Sequence, residues 1–196
     1  MKIKTFTKFC LLLASTLAFS SLKAQPAPFY QETFPNAAAF TNNWTQGGTN
    51  AGTADWEWDN DPTGVFQGQP DFASTTASNG FIIFNSDANG DFSHDVFVTS
   101  KAIDCSGKNT VFLRCENQYG FFSPGGVSIA EVGVSTDGTT FTYRTILANV
   151  PRNDLSSPVQ VVTLELPEAA NQPSVFIRFR WRGQFEYIWR IDDIGL

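Results

Sequence analysis

The stretch "VFIRFRWR" at 175–182 alternates without a break: Val175, Ile177, Phe179 and Trp181 share one side, Phe176, Arg178, Arg180 and Arg182 the other. A repeat of two residues suits only an extended strand with one buried face, because a helix would scatter both sets around its axis. The same grammar recurs along the chain from residue 79. "GFIIF" is apolar, and "HDVFVTS" is mixed. "NTVFLRCEN" sets Leu113 and Cys115 against Phe112, Arg114 and Glu116. "GVSIAEVGVST" and "TTFTYRTI" flank Asp137-Gly138, a strong hairpin signal. "VQVVTLEL" follows a Ser-Pro boundary, and "EYIWRIDDIGL" closes the chain after a turn around Gly183. No stretch shows helical periodicity with caps. Eight or more short strands with regular turns predict an all-β jelly-roll sandwich of two antiparallel sheets.

The first 24 residues stand apart from this pattern. Lys2, Lys4 and Lys8 precede the apolar run "FCLLLASTLAF", which is too short to span a membrane, and "LKAQ" offers cleavage after Ala24. Residues 1–24 therefore read as a secretory signal peptide, 25–29 as a flexible leader and 30–196 as one domain. The signal holds four lysines and no acid, so nine of the 13 basic side chains remain against all 19 acids, a formal −10. That balance argues against nucleic acid and anionic membranes as partners and suits a secreted or cell-surface protein able to recruit divalent cations. Export also permits a disulfide. Cys105 and Cys115, separated by a turn-like "SGKNT", are expected to form one, with two buried free thiols as the alternative.

Residues 35–78 are rich in Asn, Gly, Thr and Asp and carry Trp44, Trp56 and Trp58. So long a loop-dominated segment is uncommon unless it is functional or tied down. Trp56, Trp58, Phe121 and Phe122 are candidate stacking residues for a sugar, or else anchors of loops to the core. The arginine face of 178–182 is a candidate surface for acidic sugars or peptides through Arg178, Arg180 and Arg182, or else pairs with some of the many acids.

Signatures of nucleophilic or zinc-dependent hydrolysis are missing, and the sole histidine, His94, suits a hydrogen-bonding role at a strand start. The oxygen-rich "NSDANGD" is the more specific signal. Asn85, Asp87, Asn89 and Gly90 match the first half of a calcium loop, but its twelfth position is Val96 and strands flank it. A helix-loop-helix switch is excluded on that pattern. A calcium site closed by acids from elsewhere is the expectation, with Asp87 and Asp91 from the loop, Asp95 from the next strand, and the terminal Asp192 and Asp193, which alternation places on opposite faces. The alternative is a polar turn.

The ordered set "YQETF", "NNWTQ", "WEWDND", "ASNGFIIFNSD", "SHDVFVTSKAIDCSG", "VGVSTDGTTF", "PSVFIRFRW" and "YIWRIDDIGL" resembles the cleaved-adhesin or choice-of-anchor J domains of secreted Bacteroidetes proteins, distant relatives of MAM domains. The resemblance covers nearly all of 30–196. It implies a galactose-binding-like or MAM-like jelly roll that often carries calcium. It adds Glu32 to the expected ligands and favours Asp193 over Asp192. It implies a module of adhesins and exported hydrolases, with companion domains in a longer protein and varied glycan or protein targets. The expected function is a non-catalytic, calcium-stabilised extracellular adhesion or binding module. The alternatives are a glycan-active hydrolase using paired carboxylates and a purely structural accessory domain.

Overall fold

The computed structural model describes residues 27–65, 68–120, 122, 128–151 and 158–196. The expected signal peptide and Phe121 fall outside them. Eleven strands run through the described residues: β1 (Gln31–Glu32), β2 (Trp44–Gly48), β3 (Glu57–Asp59), β4 (Phe81–Asn85), β5 (Ser93–Ser100), β6 (Phe112–Gly120), β7 (Ile129–Ser135), β8 (Thr142–Ile146), β9 (Gln160–Glu165), β10 (Phe176–Gln184) and β11 (Ile188–Gly195). They form two antiparallel sheets, one ordered β3-β4-β11-β6-β9 with β1 also on β11, the other β2-β5-β10-β7-β8. The expected sandwich is the observed one.

Alternation explains why the two sheets face each other. Val175, Ile177, Phe179 and Trp181 are wholly buried, and Phe179 meets Trp189 of β11 across the interior with ring centroids 5.9 Å apart. Leu113, Cys115 and Tyr119 of β6 join the same core, as the period of two requires. Trp44 and Trp56 belong to it as well, at 3% and 1% exposure.

The first sheet is covered on its outer side too. Phe72 and Ala77 of the long early segment pack onto Phe81, Ile83 and Ile188 in a second apolar cluster. Arg190, itself buried, donates to the carbonyls of Pro62 (3.1 Å) and Thr63 (2.7 Å) and to Gln118 Oε1 (3.0 Å). The segment is thus held by a guanidinium on backbone oxygens as well as by apolar contact.

Two expectations are corrected here. A helix does exist: α1 (Ala37–Asn43) starts at Asn36, whose side chain accepts from Ala39 N–H, and its alanines favour the helical backbone. Its signal lay in an asparagine cap before an alanine run, since so short a helix shows little periodicity. The expected disulfide is not formed, and Cys105 and Cys115 are separate buried thiols. The reason is topological. β5 and β6 lie in different sheets, and the connection first runs beside the entry to β10, with Ile103 bridged to Val175 and Cys105 N–H donating to Gln172 O. "SGKNT" therefore belongs to a crossing between sheets and makes no hairpin turn. Burial pushes the Cys115 thiol up to about 12 and raises that of Cys105, with the Asp104 charge adding to the rise.

Candidate functional site

"NSDANGD" folds as one helical turn, α2 (Ser86–Asn89), and the alternating oxygens do not converge. Asn85 Oδ1 caps it by accepting from Ala88 N–H at 3.0 Å, and Gly90 leaves the turn at φ 97°. Asp91 Oδ1 accepts from Gln184 Nε2 at 3.3 Å. Asp87 stands half-buried in the turn itself.

The other expected ligands lie elsewhere. Asn85 pairs with Ile188 at one end of β11, whereas Glu32 pairs with Ile194 at the other. Six residues of strand separate them, roughly 20 Å. Glu32 accepts from Phe34 N–H (3.0 Å), Asn43 Nδ2 (3.2 Å) and Trp44 Nε1 (3.4 Å). Asp95, in the second sheet, takes a two-pronged bond from Arg180 at 2.7 and 2.6 Å. The seven candidates therefore do not make one site. Among the described residues no three His, Cys, Asp or Glu side chains form a ready metal-binding group.

The arginine face is occupied by its own acids and rings. Arg182 grips Glu131 at 3.0 and 2.8 Å. Arg178 lies between the rings of Phe97 and Phe141, 3.6 Å from each centroid, and donates to Thr99 Oγ1 at 2.8 Å. His94 is buried between Phe84 and Phe92, with Nδ1 3.0 Å from Ser86 Oγ, and burial lowers its pKa. Ser86 is equally buried and already accepts from Glu186 N–H. The pair has the distance of a nucleophile and base but offers no surface to a substrate.

The closing acids are where the chain departs most from simple alternation. The register shifts between Asp192 and Gly195, and Asp193 adopts φ 48°. This bulge turns both carboxylates toward residues 74–76, correcting the expected placement on opposite faces. Asp192 Oδ2 accepts from Ser74 Oγ (2.6 Å) and Thr76 Oγ1 (3.1 Å). Asp193 accepts from Thr76 N–H (3.0 Å) and Thr76 Oγ1 (3.1 Å). Glu116, which sequence reasoning did not select, joins them by accepting from Thr75 N–H at 2.7 Å and from Arg114 at 2.8 Å. Burial lifts the Asp192 carboxyl to about 7, with the Asp193 charge adding to the rise against the pull of the Ser74 hydrogen bond. Burial also raises Asp193. For Glu116, burial acts upward but is outweighed by Arg114 and Thr75, and its pKa is lowered.

Beside this trio opens a cleft of about 480 Å³. One wall is residues 27–29, tied to the chain end by a 2.8 Å bond from Phe29 N–H to Leu196 O. That part of the expected flexible leader is therefore held in place. The sheet contributes Phe112, Arg114 and Glu116 from β6 and Asp193 from β11, and Thr75 rises at the rim. Phe112 is 47% exposed and Phe29 38%. Of the candidate stacking residues, the two tryptophans serve as anchors to the core instead. Trp56 is core, packed on Phe84 and Trp189, and Trp58 is half-buried with Nε1 bonded to Phe34 O at 2.7 Å. Phe122 is exposed, but at the far end of β11 beside Tyr187. The signal for the cleft was present in β6, where an aromatic and two charged residues share the outward face.

The two antiparallel sheets packed face to face form a jelly-roll sandwich. The fold is shared with three cleaved adhesin domains of Lys-gingipain from Porphyromonas gingivalis. One matches with TM-score 0.58 at 15% identity over 84% of this chain and 95% of that domain. The second gives 0.55 at 16% identity over 86% and 97%, and the third 0.50 at 20% identity over 84% and 95%. At these identities the likeness is one of fold. No protein-family model matches the chain, and no curated protein sequence matches it significantly.

Proposed function

We propose that this chain is a non-catalytic extracellular binding module that receives a glycan or protein partner in the cleft walled by residues 27–29 and β6. The observation that carries this reading is Phe112, nearly half exposed on a sheet face beside the Arg114–Glu116 ion pair. An apolar surface with a few fixed polar groups inside a concavity is the usual make-up of a binding site. The shared fold with domains described as cleaved adhesins supports an adhesive role, and the signal-like leader and acidic balance support an extracellular one. The test is a labelled preparation of the chain on arrays of glycans and extracellular proteins. Binding that F112A removes supports the reading, and binding indifferent to F112A refutes this location.

Two carboxylates lining one cleft, Glu116 and Asp193, are the observation favouring a glycan hydrolase. Both accept from adjacent backbone N–H groups of the same segment, so they sit side by side on the floor. Hydrolysis needs carboxyl groups flanking the bond to be cut. Incubation with bound glycans should release no new reducing ends, and release abolished by D193N would establish the enzyme instead.

Calcium belongs to the proposal at Asp192 and Asp193, with the hydroxyls of Ser74 and Thr76 as further oxygens. These are hard oxygen ligands of the kind calcium takes, and the buried Asp192 Oδ1 has no hydrogen-bond partner. The cation would supply charge compensation and no reaction step. Titration calorimetry should show calcium uptake that D192N weakens. Uptake weakened by D87A and untouched by D192N would return the site to the α2 loop.

A further inference from the structure

We propose a second binding site, on the outer face of the β2-β5-β10-β7-β8 sheet, where Arg178 receives the carboxylate of an acidic sugar. Three arginines of β10 share this face with two acids. Arg180 takes Asp95 and Arg182 takes Glu131. Among the described residues no carboxylate lies within ion-pair reach of Arg178. Asp137, in the turn after β7, faces its own backbone, accepting from Ser135 Oγ, Thr139 N–H and Thr140 N–H. An unmatched guanidinium is thus kept at mid-sheet in a chain whose acids outnumber its bases by 19 to 13.

The site is built as well as charged. Arg178 opposes Thr99 of β5 and Gly133 of β7, and these oppose Thr45 and Tyr143. Its guanidinium is fixed between the rings of Phe97 and Phe141, 3.6 Å from each centroid. Two strand glycines make room for the aromatics. A Cβ at Gly47 would stand 2.6 Å from the Phe97 ring, and one at Gly133 2.8 Å from that of Tyr143. Nε donates to Thr99 Oγ1 at 2.8 Å and Nη1 to the Tyr143 hydroxyl at 3.1 Å. Both Nη atoms therefore keep at least one free N–H. That is the fork that grips a carboxylate with two parallel bonds, and the flanking rings hold it ready before a ligand arrives.

A sugar suits this place better than an acidic peptide. β10 is the central strand, so its backbone is committed to β5 and β7 and offers a peptide no ladder to extend. Side chains alone must recognise the guest. Near the fork stand the hydroxyls of exposed Thr45 and half-buried Tyr143, and the half-buried Phe176 ring two residues along β10. A uronic or sialic acid answers each of these, with its carboxylate on Arg178, its hydroxyls on Thr45 and Tyr143, and its ring C–H groups on the aromatic. The cleft lies on the other sheet, so the two sites are separate.

The test is titration of residues 25–196 with trigalacturonate, its neutral methyl ester, sialyllactose, lactose and a tri-aspartate peptide. Wild type, R178M, R178K and F112A are compared, with thermal melting as the check on folding. At least one acidic sugar should bind about tenfold more tightly than its neutral counterpart. R178M should lose about tenfold of that affinity. R178K, which restores the charge without the fork, should stay several-fold weaker than wild type, and it carries the comparison if R178M does not fold. F112A should bind the acidic sugar as wild type does. Acidic and neutral forms that bind alike, or an acidic sugar indifferent to both Arg178 variants, overturn the site. An acidic sugar lost in F112A and kept in R178M belongs to the cleft, which overturns this inference and supports that reading. A peptide that binds as tightly as the sugars, with the same dependence on Arg178, overturns the ligand class.

Discussion

Asp192 has no exposed surface, and its environment holds the proton that an unfolded carboxyl gives up near pH 3.9. With the folded value at about 7, the folded chain binds the extra proton between these limits. Stability from this group is therefore present at acid pH and falls as pH rises through the window. In chelator, wild type should lose stability relative to D192N between about pH 5 and about pH 8, on the order of a few kcal/mol. Urea unfolding of both proteins at both values measures it, and parallel curves would contradict the burial account. His94 carries the opposite slope. Its lowered pKa means a neutral ring when folded, so its contribution fades as pH falls below about 6.5. The two cysteines give a chemical check. Denatured without reductant, residues 25–196 should take up two alkylating groups, and native they should resist them, whereas a mass short by both adducts would restore the bridge. The protonation of Asp192 was not legible in sequence, because it depends on which distant segment covers the side chain, whereas a hydrogen-bonded His94 and two buried thiols stood among the sequence readings.

At the scale of elements, alternation was a sound guide where a strand stays regular and failed where it bends. The faces of β10 and β6 follow from period two, since a buried core on one side leaves no other register. β11 breaks at its bulge, and an aspartate at φ 48° has no signature in sequence beyond its tolerance of that conformation. A β-branched residue there is strained, so D193V should destabilise by about 1–3 kcal/mol more than D193N, measured by thermal unfolding. The long segment over the outer face is a second element-scale case. Its need for an anchor was legible in its length; that the anchor includes Arg190 reaching carbonyl oxygens was not, because carbonyls are common to every residue. R190M should keep the sandwich but raise hydrogen exchange in 60–64 and 71–79 selectively. Protection lost equally in β5 and β10 would show that the segment and sheets unfold as one unit.

Across the whole molecule, the two ends of β11 divide the chemistry. At one end lie α2, His94 and the exposed rings of Phe122 and Phe185; at the other lie the chain end, the paired acids and the cleft. The oxygen-rich loop drew attention to the first end because its side chains are adjacent in sequence. The second end is assembled from residues 27–31, 75, 110–116 and 193–196, which only the fold brings together. Either end has exposed aromatic surface, so the location of binding is the claim on which the functional account stands. Hydroxyl-radical footprinting of residues 25–196, free and saturated with their strongest array partner, decides it in one measurement. Protection of Phe29 and Phe112, with Phe122 and Phe185 unchanged, is the predicted result. Protection of Phe122 and Phe185 with no change at Phe29 and Phe112 would contradict it.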